Sequence, residues 1–102
     1  MNNRALGMLS LAAKAGKVKS GEFSVEKLVK SKKAKLVIVA RDASDNTKKL
    51  FTDKCKYYNV KIYIYADKES LGRSIGKASR ASVALEDANF SDTIEKLIRE
   101  SN

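Results

Sequence analysis

The chain has 102 residues, 43% hydrophobic and 32% charged, a size and balance that suit one modest core and exclude a disordered chain. Its 21 Lys and Arg against 12 Asp and Glu leave a net charge of +9, which makes a polyanion the default partner. A single cysteine, Cys55, and the lack of any His leave disulfide, zinc and His-based catalytic chemistry without their usual residues.

Taken in chain order, residues 3–15 read as a helix with Leu6, Leu9 and Ala13 at helical spacing and Gly16 as its C-terminal glycine. Residues 17–20 form a short strand or extended lead-in. A second helix, residues 22–30, opens at Ser20-Gly21, buries Val25, Leu28 and Val29, and turns Lys27 and Lys30 to solvent. LVIVA, residues 36–40, is the strongest strand, an apolar run rich in β-branched residues of the kind covered on both faces. After a polar loop over residues 41–46, Ser44 or Asp45 caps a third helix in which Phe51, Cys55 and Tyr58 share a face, so Cys55 reads as core.

Residues 60–65 alternate Val60, Ile62 and Ile64 against Lys61, Tyr63 and Tyr65, which predicts a strand with the aliphatic face buried and the other less so. Asp67 caps a fourth helix through Leu71 and Ile75 that stops at Gly76, and residues 77–80 lead into a strand over residues 81–85. In the last helix Phe90, Ile94, Leu97 and Ile98 line one face, with the acidic residues toward its outside. Alternation of helix and strand throughout argues for one α/β sandwich, expected as a single domain over 1–102. No apolar run approaches the roughly 20 residues needed to span a bilayer. The start, MNNRALGMLSLAAKAGK, lacks the apolar block and cleavage site of a signal peptide, so the cytoplasm is the expected location.

Catalytic chemistry finds little support. Asp42 and Asp45 lie close together, but a loop before a helix uses Asp chiefly for capping. Gly72 to Ala78 superficially resembles a phosphate-binding P-loop, yet only three residues separate its glycines where four are needed, Ala78 stands where a Ser or Thr is needed, and the segment ends a helix instead of opening one. Neither a cofactor nor a small-molecule substrate is expected, and no enzyme activity.

Charge points elsewhere. Residues 1–35 hold nine basic and two acidic side chains, residues 36–80 ten and five, and residues 81–102 two and five, so the positive excess lies upstream. There Lys14, Lys17 and Lys19 run into Gly21, where a helix opens with Lys27 one turn in. Free N–H groups at a helix start attract anions, and a glycine lets the backbone approach closely. A capped helix with solvated lysines around it is the alternative from these residues alone.

LAAKAGKVKSGEFSVEKLVKSKKAKLVIVARDAS, NTKKLFTDKCKYYNVKIY, Ile75-Gly76-Lys77 and the strand RASVAL together resemble, in order and spacing, the kink-turn-binding ribosomal protein superfamily of L-seven-Ae and L-thirty-e, above all its short bacterial YlxQ-type members. The resemblance runs from Leu6 to about Asp87. It implies a three-layer α-β-α sandwich with a mixed four-stranded sheet, and an RNA site made from loops at one edge. By position, that site takes Gly21, Glu22, Phe23, Ser24 and Lys27 from the second helix, Ser79, Arg80, Ala81 and Ser82 from the loop before the last strand, and Arg41 and Asp42 beside them, with Lys17 and Lys19 upstream. The best-known members carry Asn-Glu where this chain has Phe23-Ser24. Phe23 reads as a packing residue at the start of an amphipathic helix, with stacking on an unpaired base as the alternative. Glu22 stands close enough to replace the lost carboxylate. The implied function is recognition of kinked or structured RNA, in association with ribosomes or translation, by a monomer with no membrane partner. The alternatives are a substrate-recognition subunit for an RNA-modifying enzyme and a basic module that binds acidic proteins.

Overall fold

A computed structural model describes residues 3–101. In chain order it contains α1 (Arg4–Lys14), β1 (Val18–Ser20), α2 (Glu22–Lys30), β2 (Leu36–Val39), α3 (Asp45–Tyr58), β3 (Lys61–Ile64), α4 (Lys68–Ser74), β4 (Ser82–Leu85) and α5 (Ala88–Glu100). The predicted elements all form, most with ends shortened by a residue.

Local chemistry accounts for most of these boundaries. Side chains of Asn3, Ser44, Asp67 and Asp87 accept hydrogen bonds from the N–H groups of Leu6, Thr47, Ser70 and Phe90, capping α1, α3, α4 and α5. At Asp67 the bond from the Ser70 N–H holds the carboxyl below its ordinary range. Asn59 takes the left-handed conformation that ends α3, at φ 59°.

The sheet runs in the order β1-β4-β2-β3. β4 lies antiparallel to both β1 and β2, while β2 and β3 are parallel and joined through α3, so the sheet is mixed. α1 packs with α4 and α5 on one face and α2 packs with α3 on the other, giving the three-layer α-β-α sandwich. The central strands β2 and β4 are buried along their whole lengths, as strands covered on both faces must be. Around them Leu9, Val25, Phe51, Leu71 and Ile94 are fully buried, and a side chain of that kind contributes about 1.5–3 kcal/mol by leaving water. Cys55 belongs to this core, and burial pushes its thiol up to about 11, so it is not a ready nucleophile. Among the described residues no helix is long and apolar enough to cross a membrane, and no group of three or more His, Cys, Asp and Glu stands ready to hold a metal.

Two expectations about faces are corrected. Ile64, expected in the core, is 41% exposed, whereas Tyr65 is buried. β3 is an edge strand that packs with α3 on one face, while its tyrosines reach the helices of the other: the Tyr63 hydroxyl donates to Glu95 on α5 at 2.7 Å and the Tyr65 hydroxyl to Asn3 Oδ1 at 3.2 Å. Glu95 is likewise not on the outside of α5. It is buried, with Lys61 Nζ at 2.9 Å as a second partner, because the edge of the sheet supplies the donors that make its burial tolerable.

Candidate nucleic-acid interface

The strand order brings three separated segments to one end of the sheet. Ser20 closes β1, Ser82 opens β4, and Val39 closes β2, with Ser20 opposite Val83 and Val39 opposite Ser82. Backbone bonds continue the ladder past the strands: the Gly21 N–H donates to the Ser82 carbonyl at 3.1 Å, and the Ala40 N–H to the Ala81 carbonyl at 2.9 Å.

Gly21 is the N-cap of α2, at φ 92° and ψ 152°, a region open almost only to glycine. With no side chain there, α2 is the one helix of the described residues whose first turn receives no side-chain cap. Its leading N–H groups, at Glu22, Phe23 and Ser24, point toward the end of the sheet without an acceptor from the cap. They carry the positive end of the helix dipole, an arrangement suited to an anion.

Around that turn the basic side chains stand unpaired. Lys19 and Lys27 are exposed and have no carboxylate partner among the described residues, whereas Lys30 pairs with Glu26 at 3.3 Å. Arg41, expected beside them, is exposed and unpaired too, but its guanidinium lies over Tyr65 on the α1 and α4 side of the sheet. Lys17 is exposed too, but it precedes the three-residue β1 and lies about 10 Å back along the strand from Ser20. It belongs to the approach and not to the end itself.

The loop from residue 79 to 82 is held down, and this changes the roles read from the sequence. Arg80 is half-buried. Its Nε donates to Ser20 Oγ at 3.1 Å, one terminal nitrogen to the Ser79 carbonyl at 2.9 Å, and its backbone N–H to the Lys68 carbonyl at 2.9 Å. It does not stand free as a contact: it ties the two loops together and still carries its charge at their junction. Ser82, expected among the contacts, is only 1% exposed and supports Gly21 from beneath through its carbonyl. Ala81 serves β2 in the same way. Asp42 Oδ1 accepts the Lys68 N–H at 2.8 Å, so it holds the start of α4 and is not free for a ligand. Ser79 remains exposed at the loop crest.

Phe23 corrects the packing expectation most plainly. It is 80% exposed, because Val25, Leu28 and Val29 already fill the buried stripe of α2, and position 23 falls off that stripe. The phenyl ring thus stands in the open beside the unpaired Lys27, in a groove shared with Glu26 and Lys30. Sequence reasoning missed Ser20, the partner of Arg80. Its one signal was its place before the glycine, and nothing local tells that Arg80 reaches it.

The chain matches the ribosomal protein L7Ae/L30e/S12e/Gadd45 family over residues 3–95. It is 45% identical over 91 residues to the RNA-binding protein YlxQ of Bacillus subtilis (strain 168), a match covering 89% of this chain and 91% of that protein. A structure described as that of a protein with unknown function from Bacillus halodurans C superposes with a TM-score of 0.93 at 37% identity, covering 96% of this chain and 99% of the other. The Giardia lamblia 15.5kD RNA binding protein shares the fold, with a TM-score of 0.79 at 20% identity over 98% of this chain and 89% of the other.

Proposed function

The chain belongs to the ribosomal protein L7Ae/L30e/S12e/Gadd45 family, and on that footing we propose that it is an RNA-binding protein that grips kinked or otherwise structured RNA with the Gly21 end of its sheet. The observation that carries this reading is the uncapped first turn of α2, set against a loop anchored by Arg80 and flanked by the unpaired Lys19 and Lys27. The name of the Bacillus subtilis relative, an RNA-binding protein, supports it.

The physical account runs from charge to shape. A net charge of +9 draws any nucleic acid and supplies affinity that falls with salt. Discrimination needs contacts that a regular duplex does not offer, since the deep, narrow major groove of A-form RNA hides its base edges. A sharp kink opens the backbone and splays bases, so a phosphate can reach the N–H groups of residues 22–24 while an unpaired base meets Phe23. In this reading Glu22 and Ser24 offer an acceptor and a hydroxyl to base edges, and Lys27 and Arg80 neutralise phosphates on either side. The protein acts by binding without turnover, as one domain and as a monomer, on an RNA of the ribosome or of translation in the cytoplasm.

The test is the affinity of a labelled kink-turn RNA against a straight duplex of matched length, across a salt series. A preference for the kinked RNA that survives raised salt is expected. Equal affinities that fall together with salt would leave only a basic surface and sink structured recognition.

A further inference from the structure

Arg4 in the first turn of α1, Arg41 just beyond β2 and Arg73 near the end of α4 line one open cleft of about 950 Å³ between α1, α4 and the end of α5. These arginines come from three separate elements, and no local sequence pattern relates them. Arg73 also pairs with Glu69, and Glu100 stands in the cleft wall, while Arg4 and Arg41 have no carboxylate partner among the described residues. Two uncommitted guanidiniums beside a third leave the cleft cationic.

Its floor is built for a flat group as well as for charge. The Arg41 guanidinium lies over the Tyr65 ring, 5.6 Å from its centroid, and the ring is fixed by its hydroxyl bond to Asn3. Tyr65 is buried and Arg41 exposed, so the guanidinium stays open to solvent above the ring, where an unpaired base can stack on it. Guanidinium groups also match phosphate oxygens in pairs and are less tightly hydrated than an ammonium group. The side chains of Asn3 and Ser70 add neutral polar groups to the walls.

The cleft adjoins the Gly21 end. The Arg41 N–H donates to the Ala66 carbonyl at 2.8 Å, and the Arg80 N–H to the Lys68 carbonyl at 2.9 Å, so both sites hang on the same short turn over residues 66–68. We propose that this cleft binds a single-stranded RNA segment flanking the structured RNA held at the Gly21 end, with phosphates at Arg4 and Arg73 and a base on Arg41. The proposal rests on the RNA-binding reading above and adds a second site on a different face of the sandwich.

The test compares a kink-turn hairpin with the same hairpin carrying a short oligouridine extension, against the native protein and R4Q/R73Q. The extension is expected to tighten native binding about tenfold, the equivalent of one stacked base. R4Q/R73Q loses that gain and binds the bare hairpin as the native protein does, whereas K33Q/K56Q, which removes the same charge outside the cleft, keeps it. An extension that adds nothing, or a gain that survives R4Q/R73Q, overturns the proposal. If the bare hairpin is not bound at all, the reading of the Gly21 end fails, and oligouridine alone decides on the cleft. Binding abolished by R4Q/R73Q supports it, and no binding overturns it. Inorganic phosphate or a poly-glutamate peptide that occupies the cleft as tightly as oligouridine would also overturn it, assigning the cleft to free phosphate or to an acidic protein.

Discussion

Arg80 Nε donates a 3.1 Å hydrogen bond to Ser20 Oγ, joining residues 60 positions apart in the chain at the point where β1 gives way to α2. This bond makes the two loops at the end of the sheet one surface. Arg80→Ala is therefore expected to weaken RNA binding by more than the loss of one charge and to lower the thermal midpoint by a few degrees. Ser20→Ala, which keeps the charge and frees the side chain, separates the two effects. Binding to RNA and melting of the same three proteins check this. Native affinity in Ser20→Ala would mean that the tie does not organise the site.

Gly72 is present for a reason that has nothing to do with phosphate. A β-carbon there would sit inside the Ala78 carbonyl group, where the chain turns back against α4 toward Arg80. Gly72→Ala should cost about 2 kcal/mol or more by overpacking, with a loss of RNA affinity because the 76–80 segment must move. Chemical denaturation reads the first and titration with RNA the second.

Gly21 differs, since a β-carbon there would meet nothing within 4 Å. Its φ of 92° is the obstacle, and Gly21→Ala should cost about 1–3 kcal/mol in backbone strain. The folded variant should also bind RNA less tightly as the first turn of α2 rotates. Unfolding in urea at matched ionic strength measures the strain. A variant as stable as the parent would contradict the backbone assignment.

Phe23 and Lys27 should separate stacking from charge. Phe23→Ala leaves stability unchanged, because the ring is exposed, and lowers affinity for kinked RNA by about 1–3 kcal/mol if a base stacks there. Lys27→Gln lowers affinity for all RNAs alike and reduces the slope of log affinity against log salt by about 0.7 to 0.9. Salt titrations of both variants on kinked and straight RNA make the comparison. A uniform loss in Phe23→Ala would remove the stacking role.

Glu95 predicts a pH dependence that belongs to folding and not to binding. Hydrogen bonds from Tyr63, and then from Lys61, hold its carboxyl below the ordinary range, and the same bonds raise Tyr63 and Lys61. A lowered carboxyl contributes stability above its unfolded value and loses it as pH falls through the folded one; raised groups contribute below their unfolded values and lose it as pH rises through the folded ones. The network should thus be complete near neutrality and fade in acid below the ordinary carboxylate range, and in strong base above the ordinary tyrosine and lysine ranges. Glu95→Ala is expected to cost about 1–3 kcal/mol at neutral pH, with the gap to the parent narrowing in acid. Melting curves that stay parallel across the acid range would exclude the network from the fold's stability.

Much of this protein is legible in its sequence because helix signals are local. Ser44, Asp67 and Asp87 reach N–H groups three residues away, glycines stand where helices must end, and LVIVA can only be a covered strand, so the elements and their order follow from spans of three or four residues. The upstream concentration of lysine is likewise visible by counting. The order β1-β4-β2-β3 is not local, and it alone decides that Ser20, Ala40 and Ser82 meet, that Arg80 is a tie and not a free cation, and that Arg4, Arg41 and Arg73 share a cleft. Nor could alternation along residues 60–65 show that the end of an edge strand would leave Ile64 exposed, or that Tyr63 and Lys61 would reach Glu95 and allow its burial. Such facts depend on partners tens of residues away, and only packing every apolar stripe against the others at once selects them.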